Sequence, residues 1–439
     1  MSDSPSPTFC VIPWTHVFAD EQGLMRPCCM AVTDRSKPNV DDQGQPLVIY
    51  KQGSLEAGWN STFMKTMRLD MLAGRRPPVC EQCFRDEDLS IRSYRQDANV
   101  TLGAHIPEAV AATAPDGASP LELVTSADLR LGNQCNLKCR MCSPLSSKLL
   151  IPEWRQLFAL PDDHAELLAL ERVDWFDSDG FWSNCEQIMP QLEKLHFAGG
   201  EPMIIARMLD FLQRTVDAGH ASSIVLSYVT NMTTLPERVT TLWPAFRDVR
   251  ITASLDGFDT LNTYIRFPSK WDRIDDNLTR LVSDPAYNCS KVTVNTTVQA
   301  YNVLRLDELF EYLFGKFPSA LVPYPRLTLL EWPAPFSVRV LPSAVKEMAA
   351  ARLRAFVDRW QNRWPLAGDE LDRFLSSIAG VVDHMMGAER EADRAEFVRR
   401  TRIYDASRGQ SVAAIVPELG PMFAPPAAPP ALPVSAPDA

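Results

Sequence analysis

Between residues 124 and 335 short apolar runs alternate with longer amphipathic stretches. Six runs read as strands, at 126–132, 194–198, 223–230, 248–255, 291–299 and 326–332. They are rich in Val, Ile, Leu and Thr, the residues that suit a pleated, covered surface. Helical stretches separate them at 203–218, 234–246, 272–283 and 304–316. Strands alternating with helices imply parallel pairing through right-handed crossovers. Six units are fewer than the eight of a closed barrel. The interval 143–193 is longer than the others and is expected to hold extra helices.

The flanks read differently. Residues 11–18 suggest a strand with Pro13 near its edge, Gly23 a turn, and 54–73 a helix with Phe63, Met67 and Met71 on one face. Residues 101–123, rich in Ala, Pro and Gly, read as a linker. From about 343 the pattern is helical to about 405. The segment 416–439 carries many prolines and alanines and is expected to be extended or disordered. The expected fold class is therefore α/β. A partial (β/α)6 TIM-like barrel at 124–340 follows a small cysteine-rich α+β domain at 1–100 and precedes a helical extension at 341–415.

Composition narrows the function classes. A chain of 439 residues, 46% hydrophobic, has room for two or three domains and a sizeable core. With 44 Lys and Arg against 55 Asp and Glu, the net charge of −11 argues against a protein that coats nucleic acid or anionic membrane. No apolar run is long enough to predict a membrane span. The start, Met-Ser-Asp-Ser-Pro-Ser-Pro, lacks the basic and apolar regions of a secretory signal. A cytoplasmic location, where thiols stay reduced, is the expectation.

Ten cysteines then become informative, because eight precede residue 143. Clustered thiols in a reduced chain read as metal ligands rather than disulfides. The six histidines show no ligand spacing. The sharpest motif is Cys135-Asn-Leu-Lys-Cys139-Arg-Met-Cys142, just after the first barrel strand, where ligands of parallel sheets sit. Three thiolates on a four-iron cluster leave one iron open to chemistry; zinc with a distant fourth ligand is the alternative. Phe197-Ala198-Gly199-Gly200-Glu201-Pro202 follows the second strand, and paired glycines let a ligand approach the backbone.

Together these motifs resemble the radical S-adenosylmethionine (radical SAM) superfamily. The resemblance implies that Cys135, Cys139 and Cys142 bind a four-iron four-sulfur cluster and that Gly199, Gly200 and Glu201 contact the amino group of SAM. In that family SAM chelates the open iron. Reductive cleavage then gives a 5′-deoxyadenosyl radical that takes hydrogen from a substrate. Val229-Thr230-Asn231 and Ser254-Leu255-Asp256-Gly257 end the third and fourth strands as in similar proteins. Asn231, Ser254, Asp256 and Arg266 are thereby implied as further SAM contacts, with Arg266 suited to a ribose or carboxylate.

Cys10, Cys28-Cys29 and Cys80-Glu-Gln-Cys83 form a second constellation. It resembles the twitch domain, a shortened SPASM domain that holds one auxiliary iron–sulfur cluster, here in the less common position before the barrel. Cys10, Cys28, Cys80 and Cys83 are the expected ligands, with Cys29 spare; a structural zinc would use the same set. Cys185 and Cys289 read as small buried apolar residues, hydrogen-atom donors or metal ligands, and Tyr228 and Glu331 as substrate-facing, packing or surface residues. No residue is assigned a catalytic role. The expected function is radical cleavage of SAM with hydrogen abstraction from a peptide or small protein, supplied with electrons by a donor such as flavodoxin or ferredoxin. The alternatives are a small-metabolite substrate and a non-catalytic iron–sulfur electron carrier.

Overall fold

The computed structural model describes residues 5–31, 40, 43–50 and 54–424. Its ten strands are β1 (His16–Ala19), β2 (Met25–Arg26), β3 (Ser126–Arg130), β4 (Lys138–Cys139), β5 (Lys194–Ala198), β6 (Val225–Thr230), β7 (Asp248–Ser254), β8 (Arg266–Phe267), β9 (Cys289–Val298) and β10 (Arg326–Leu329). Eight of them form one sheet in the order β10-β9-β7-β6-β5-β3-β1-β2, and β4 pairs with β8 in a separate ribbon. All neighbours in the large sheet are parallel except β1 and β2. The six sequence-expected strands are all present within it.

Register gives the sheet two chemically different faces. Val17, Ala127, Leu195, Leu226 and Val249 form one cross-strand row, and Ala19, Leu129, Phe197, Tyr228 and Ile251 another. Both rows belong to the main core, which helices such as Ala206–Asp217 and Trp271–Ser283 cover. The alternate rows are mainly polar: His16, Ser126 and Lys194 with Val225 in one, and Asp128, His196, Ser227 and Arg250 with Phe18 in the next. A period of two in the sequence thus becomes a packed face and a polar face.

Four expectations change. Residues 11–18 are not one strand: Pro13 sits in the first turn of a short helix, Ile12–Thr15, where its missing N–H costs nothing, and the strand begins at His16. The N-terminal region is not set apart from the sheet either, because β1 pairs with β3 and extends it. It does keep a second core of Phe9, Val11, Trp14, Met64, Met67 and Met71. The stretch 101–123 is no simple linker: it holds the helix Ile106–Ala111, whose Ile106 and Ala109 are buried in that core. The expected disordered tail begins later than 416, since Val416 and Leu419 are buried and Gly420–Phe423 is helical. Residues 425–439 lie outside the described residues.

After β10 come three long helices, Ser343–Trp360, Gly368–Met386 and Glu391–Arg408, packed in a core with Tyr301, Phe336 and Phe374. No helix among the described residues is long and apolar enough to cross a membrane.

Candidate functional site

The cysteine loop leaves the end of β3 and returns through β4. Asn133 anchors its start by donating to the carbonyls of Pro144 and Leu170, at 2.9 and 2.8 Å. Ser147 Oγ donates to Leu137 O at 2.7 Å. Pairing of β4 with β8 sets Cys139 directly opposite Arg266.

The Gly-Gly-Glu turn presses on this loop. Gly199 and Gly200 have φ of +77° and +49°. A Cβ on Gly200 would lie 2.2 Å from the carbonyl oxygen of Gln134, and one on Gly199 would lie 2.8 Å from the carbonyl carbon of Arg130. Glu201 N donates to Gln134 O at 2.9 Å. Gly200 is therefore required by the cysteine loop's own backbone, and Gly199 by the end of β3.

Glu201 is 1% exposed. Its Oε1 accepts from Thr230 Oγ1 at 2.8 Å and Met203 N at 3.2 Å, and its Oε2 from Asn231 N at 2.8 Å. A carboxylate has about four acceptor positions, so one remains for an ammonium or similar donor. Burial pushes this carboxyl up to about 7 against those hydrogen bonds and the field of Arg266. Asn231 Nδ2 donates to Asn136 Oδ1, and Asn136 Nδ2 to Thr233 Oγ1, both at 2.8 Å. Asn136 lies between two of the cysteines, so the end of β6 holds the thiol loop as well.

Asp256 is fully buried, and its Oδ2 lies 2.7 Å from Arg266 Nε as an ion pair. That pair lacks the alignment of a hydrogen bond, which leaves both atoms with unused hydrogen-bonding capacity. Asp256 Oδ1 accepts from Thr297 N at 2.8 Å. Ser254 pairs with Asn295 in the neighbouring strand. Thus Gly199, Gly200, Glu201, Asn231, Ser254 and Asp256 lie at or just past the carboxyl ends of the adjacent strands β5, β6 and β7, and Arg266 lies opposite Cys139 in the β4–β8 ribbon.

The three thiols share one electrostatic environment. The Cys142 thiol hydrogen-bonds to Cys139 and holds it below the usual thiol range, with Arg266 assisting. Burial pushes Cys135 up to about 12, with Cys139 contributing. Among the described residues no three His, Cys, Asp or Glu side chains close on one metal ion. A four-iron cluster takes each thiolate on a different iron, so its donors stand wider apart than the shell of a single ion. The donor set and the cationic Arg266 fit such an anionic group.

In the N-terminal region, helix Tyr94–Thr101 holds the segment bearing Cys10: Asn99 Nδ2 and Arg95 Nη1 donate to Phe9 O at 2.8 and 2.6 Å. Burial raises Cys10, reinforced by Cys28 and Cys80. Burial also pushes Cys28 up to about 12, with Cys29, Cys80 and Cys83 adding to it. Cys28 thus lies within the fields of Cys29, Cys80 and Cys83, and Cys10 within those of Cys28 and Cys80. Cys29 faces elsewhere, toward Asp128, Arg130 and Tyr94.

Sequence reasoning missed the polar face beside Cys29. Asp128 is 8% exposed, and its Oδ1 accepts no hydrogen bond. Burial raises its carboxyl, opposed by His196 and Arg130. His196 Nδ1 and Ser227 Oγ are 2.8 Å apart, and His16 Nδ1 and Ser126 Oγ 3.0 Å. The alternation of β3 and β5 was the available signal. Tyr228, by contrast, packs in the core between Phe197 and Trp243. Glu331 pairs with His384 and Arg390. Cys185 is buried in the core, and Cys289 Sγ meets Lys291 O at 3.6 Å.

Burial, with His196 and Lys194 nearby, lowers His16 from 6.5 to about 4, so the folded protein keeps it neutral. The unfolded chain takes up a proton first, so this contribution to stability is lost as pH falls from about 6.5 to 4. His16→Gln is expected to flatten that part of the pH–stability curve by about 3 kcal/mol in urea unfolding.

No family model matches the chain, and no curated protein does. Solved structures show remote likeness. "Native anSMEcpe with bound AdoMet and Cp18Cys peptide" is 13% identical at a TM-score of 0.33, covering 54% of this chain and 59% of that one. "Streptococcus suis SuiB bound to precursor peptide SuiA" is 12% identical at 0.32, covering 74% and 68%. "TYW1 with a lysine-pyruvate adduct bound" is 17% identical at 0.22, covering 40% and 57%. The matched region spans about three-fifths of the anSMEcpe chain.

Proposed function

We propose that this chain is a radical SAM enzyme that cleaves S-adenosylmethionine reductively and abstracts hydrogen from a peptide or small protein. One observation carries the reading. The Gly199-Gly200-Glu201 turn is packed onto the backbone of the cysteine loop so tightly that no side chain fits between them. Three thiols and a buried carboxylate with an acceptor position to spare are thereby held at the ends of neighbouring parallel strands.

Cys135, Cys139 and Cys142 would hold a four-iron cluster, with SAM held on its open iron by Glu201, Asn231, Ser254, Asp256 and Arg266. When bound, that pair supplies an electron to the sulfonium and a carbon radical for hydrogen abstraction. The chain's residues do the positioning. Arg266 offsets the negative charge of the thiolates from directly across the β4–β8 ribbon. Glu201 accepts from an amino group without moving, because Thr230, Asn231 and Met203 already orient it. Cys10, Cys28, Cys80 and Cys83 would hold an auxiliary iron–sulfur centre. The polar face near Cys29, Asp128 and His196 offers mixed donors and acceptors, which suit the amide groups of a peptide. A flavodoxin- or ferredoxin-type donor would supply the electron.

Anaerobic protein reconstituted with iron and sulfide, then given SAM and dithionite, should form 5′-deoxyadenosine and methionine. Full iron loading without either product would overturn the proposal.

A further inference from the structure

Cys139 stands between two cations that point to different partners. Lys138 Nζ is 2.8 Å from Glu153 Oε1. Glu153, 5% exposed, also takes Arg408 Nη2 at 2.7 Å and Arg408 Nε at 3.1 Å. Arg140 has no exposed surface. Its Nη2 donates to Asp405 Oδ1 at 2.6 Å and Gln410 Oε1 at 2.9 Å. Its Nε donates to Tyr264 O at 2.9 Å, and its guanidinium lies 3.6 Å from the Tyr264 ring centroid. Asp405 also accepts from Tyr264 Oη at 2.9 Å and Val412 N at 2.8 Å. The Arg408 guanidinium lies over the Tyr404 and Phe267 rings at 4.5 and 5.4 Å. Asp405 and Arg408 belong to the last long helix, far from the cysteines in sequence.

The charges around Glu153 do not cancel. Arg140 is matched by Asp405, and Arg266 by Asp256. Lys138 and Arg408 share the single carboxylate of Glu153. One positive charge is left over, shared between the buried Arg408 guanidinium and the partly exposed Lys138 ammonium, and Arg408 acts on Cys139 from there. A buried excess charge is costly unless an opposite charge stands close by. An anionic, thiolate-bound group on the cysteine loop meets that requirement.

We propose that the helix Glu391–Arg408 is a clamp on the cysteine loop whose excess positive charge favours the reduced form of the cluster bound there. The C-terminal extension is then part of the redox site. This rests on the cluster of the proposed function. Asp405 and Arg408 act through the loop and are positioning residues. Because the net charge around a cluster sets its potential, the sign of each change follows.

The test is an anaerobic redox titration followed by electron paramagnetic resonance, with iron content and thermal melting measured on each sample. Arg408→Gln removes the surplus charge. At fixed potential its ratio of reduced to oxidised barrel cluster should fall on the order of tenfold. Arg408→Lys should restore it. Asp405→Asn leaves Arg140 without its anion and should move the ratio the other way, with a lower melting point. Opposite shifts at full iron content support the clamp. Shifts of one sign, or titrations that superimpose on wild type, overturn it. Iron lost from the barrel in Arg408→Gln but retained in Arg408→Lys supports the holding role alone and overturns the tuning role. Wild-type protein that loads no iron at the barrel cysteines overturns the proposed function itself.

Discussion

Replacing Cys139 with alanine is expected to lower 5′-deoxyadenosine formation by about a thousandfold or more, while folding loses only about 1 kcal/mol. Cys139 is the thiol most bound up with its surroundings. It is 5% exposed, it accepts from Cys142, and it lies opposite Arg266 in the β4–β8 ribbon. Alanine fills most of the same volume, so little packing is lost. A cluster held by two thiolates instead of three has a second open iron and does not persist. If Cys10, Cys28, Cys80 and Cys83 hold iron, it should remain, because Cys10, Cys28 and Cys80 lie in a separate core in which Asn99 and Arg95 anchor the Phe9 carbonyl beside Cys10. Product measured by chromatography and urea unfolding at equal protein concentration check both halves. Cleavage at the wild-type rate would remove Cys139 from the site.

Gly200→Ala is expected to destabilise the protein by about 3 kcal/mol or more and to empty the barrel site of iron. Two costs add. A left-handed conformation costs a non-glycine residue roughly 1–2 kcal/mol. The new methyl would also lie 2.2 Å from Gln134 O, so the turn or the cysteine loop must move. Movement breaks the 2.9 Å hydrogen bond from Glu201 N and shifts Cys135, the next residue. Gly219→Ala is the control. It too has positive φ, +78°, but its Cβ would meet nothing within 4 Å. It should cost about 1 kcal/mol and leave iron loading unchanged. Equal iron in the two variants would contradict the packing argument.

The parallel strands of the sheet were legible because a covered parallel strand writes its pattern locally. The run 194–198 has the bounds of β5, and 126–132 contains β3. The N-terminal region was less legible because its decisive contact is remote. His16 pairs with Ser126, more than a hundred residues away, and nothing near His16 announces that register. The stretch 101–123 has the composition of a linker, yet Ile106 and Ala109 find a core supplied by Phe9 and Trp14.

The site shows the same division. Three cysteines at short spacing and a Gly-Gly-Glu turn declare themselves in one dimension. Their coupling through Gln134, Asn136 and Thr233 does not, since it depends on neighbouring strands. Asp128 and His196 read as ordinary strand residues until register puts them in one row. Asp405 and Arg408 lie near the end of a stretch that the sequence announces only as helical, to about 405. Arg266 and Asp256 were visible as separate motif residues, and the structure joins them as a buried ion pair.

The most direct test of the central claim is the iron and sulfide content, with the electron paramagnetic resonance spectrum, of anaerobically reconstituted wild type beside Cys139→Ala. If the barrel cysteines hold a four-iron cluster, wild type carries about four more irons per chain than the variant and shows a reduced-cluster signal that SAM alters. Equal iron in the two proteins, with a spectrum indifferent to SAM, would contradict it.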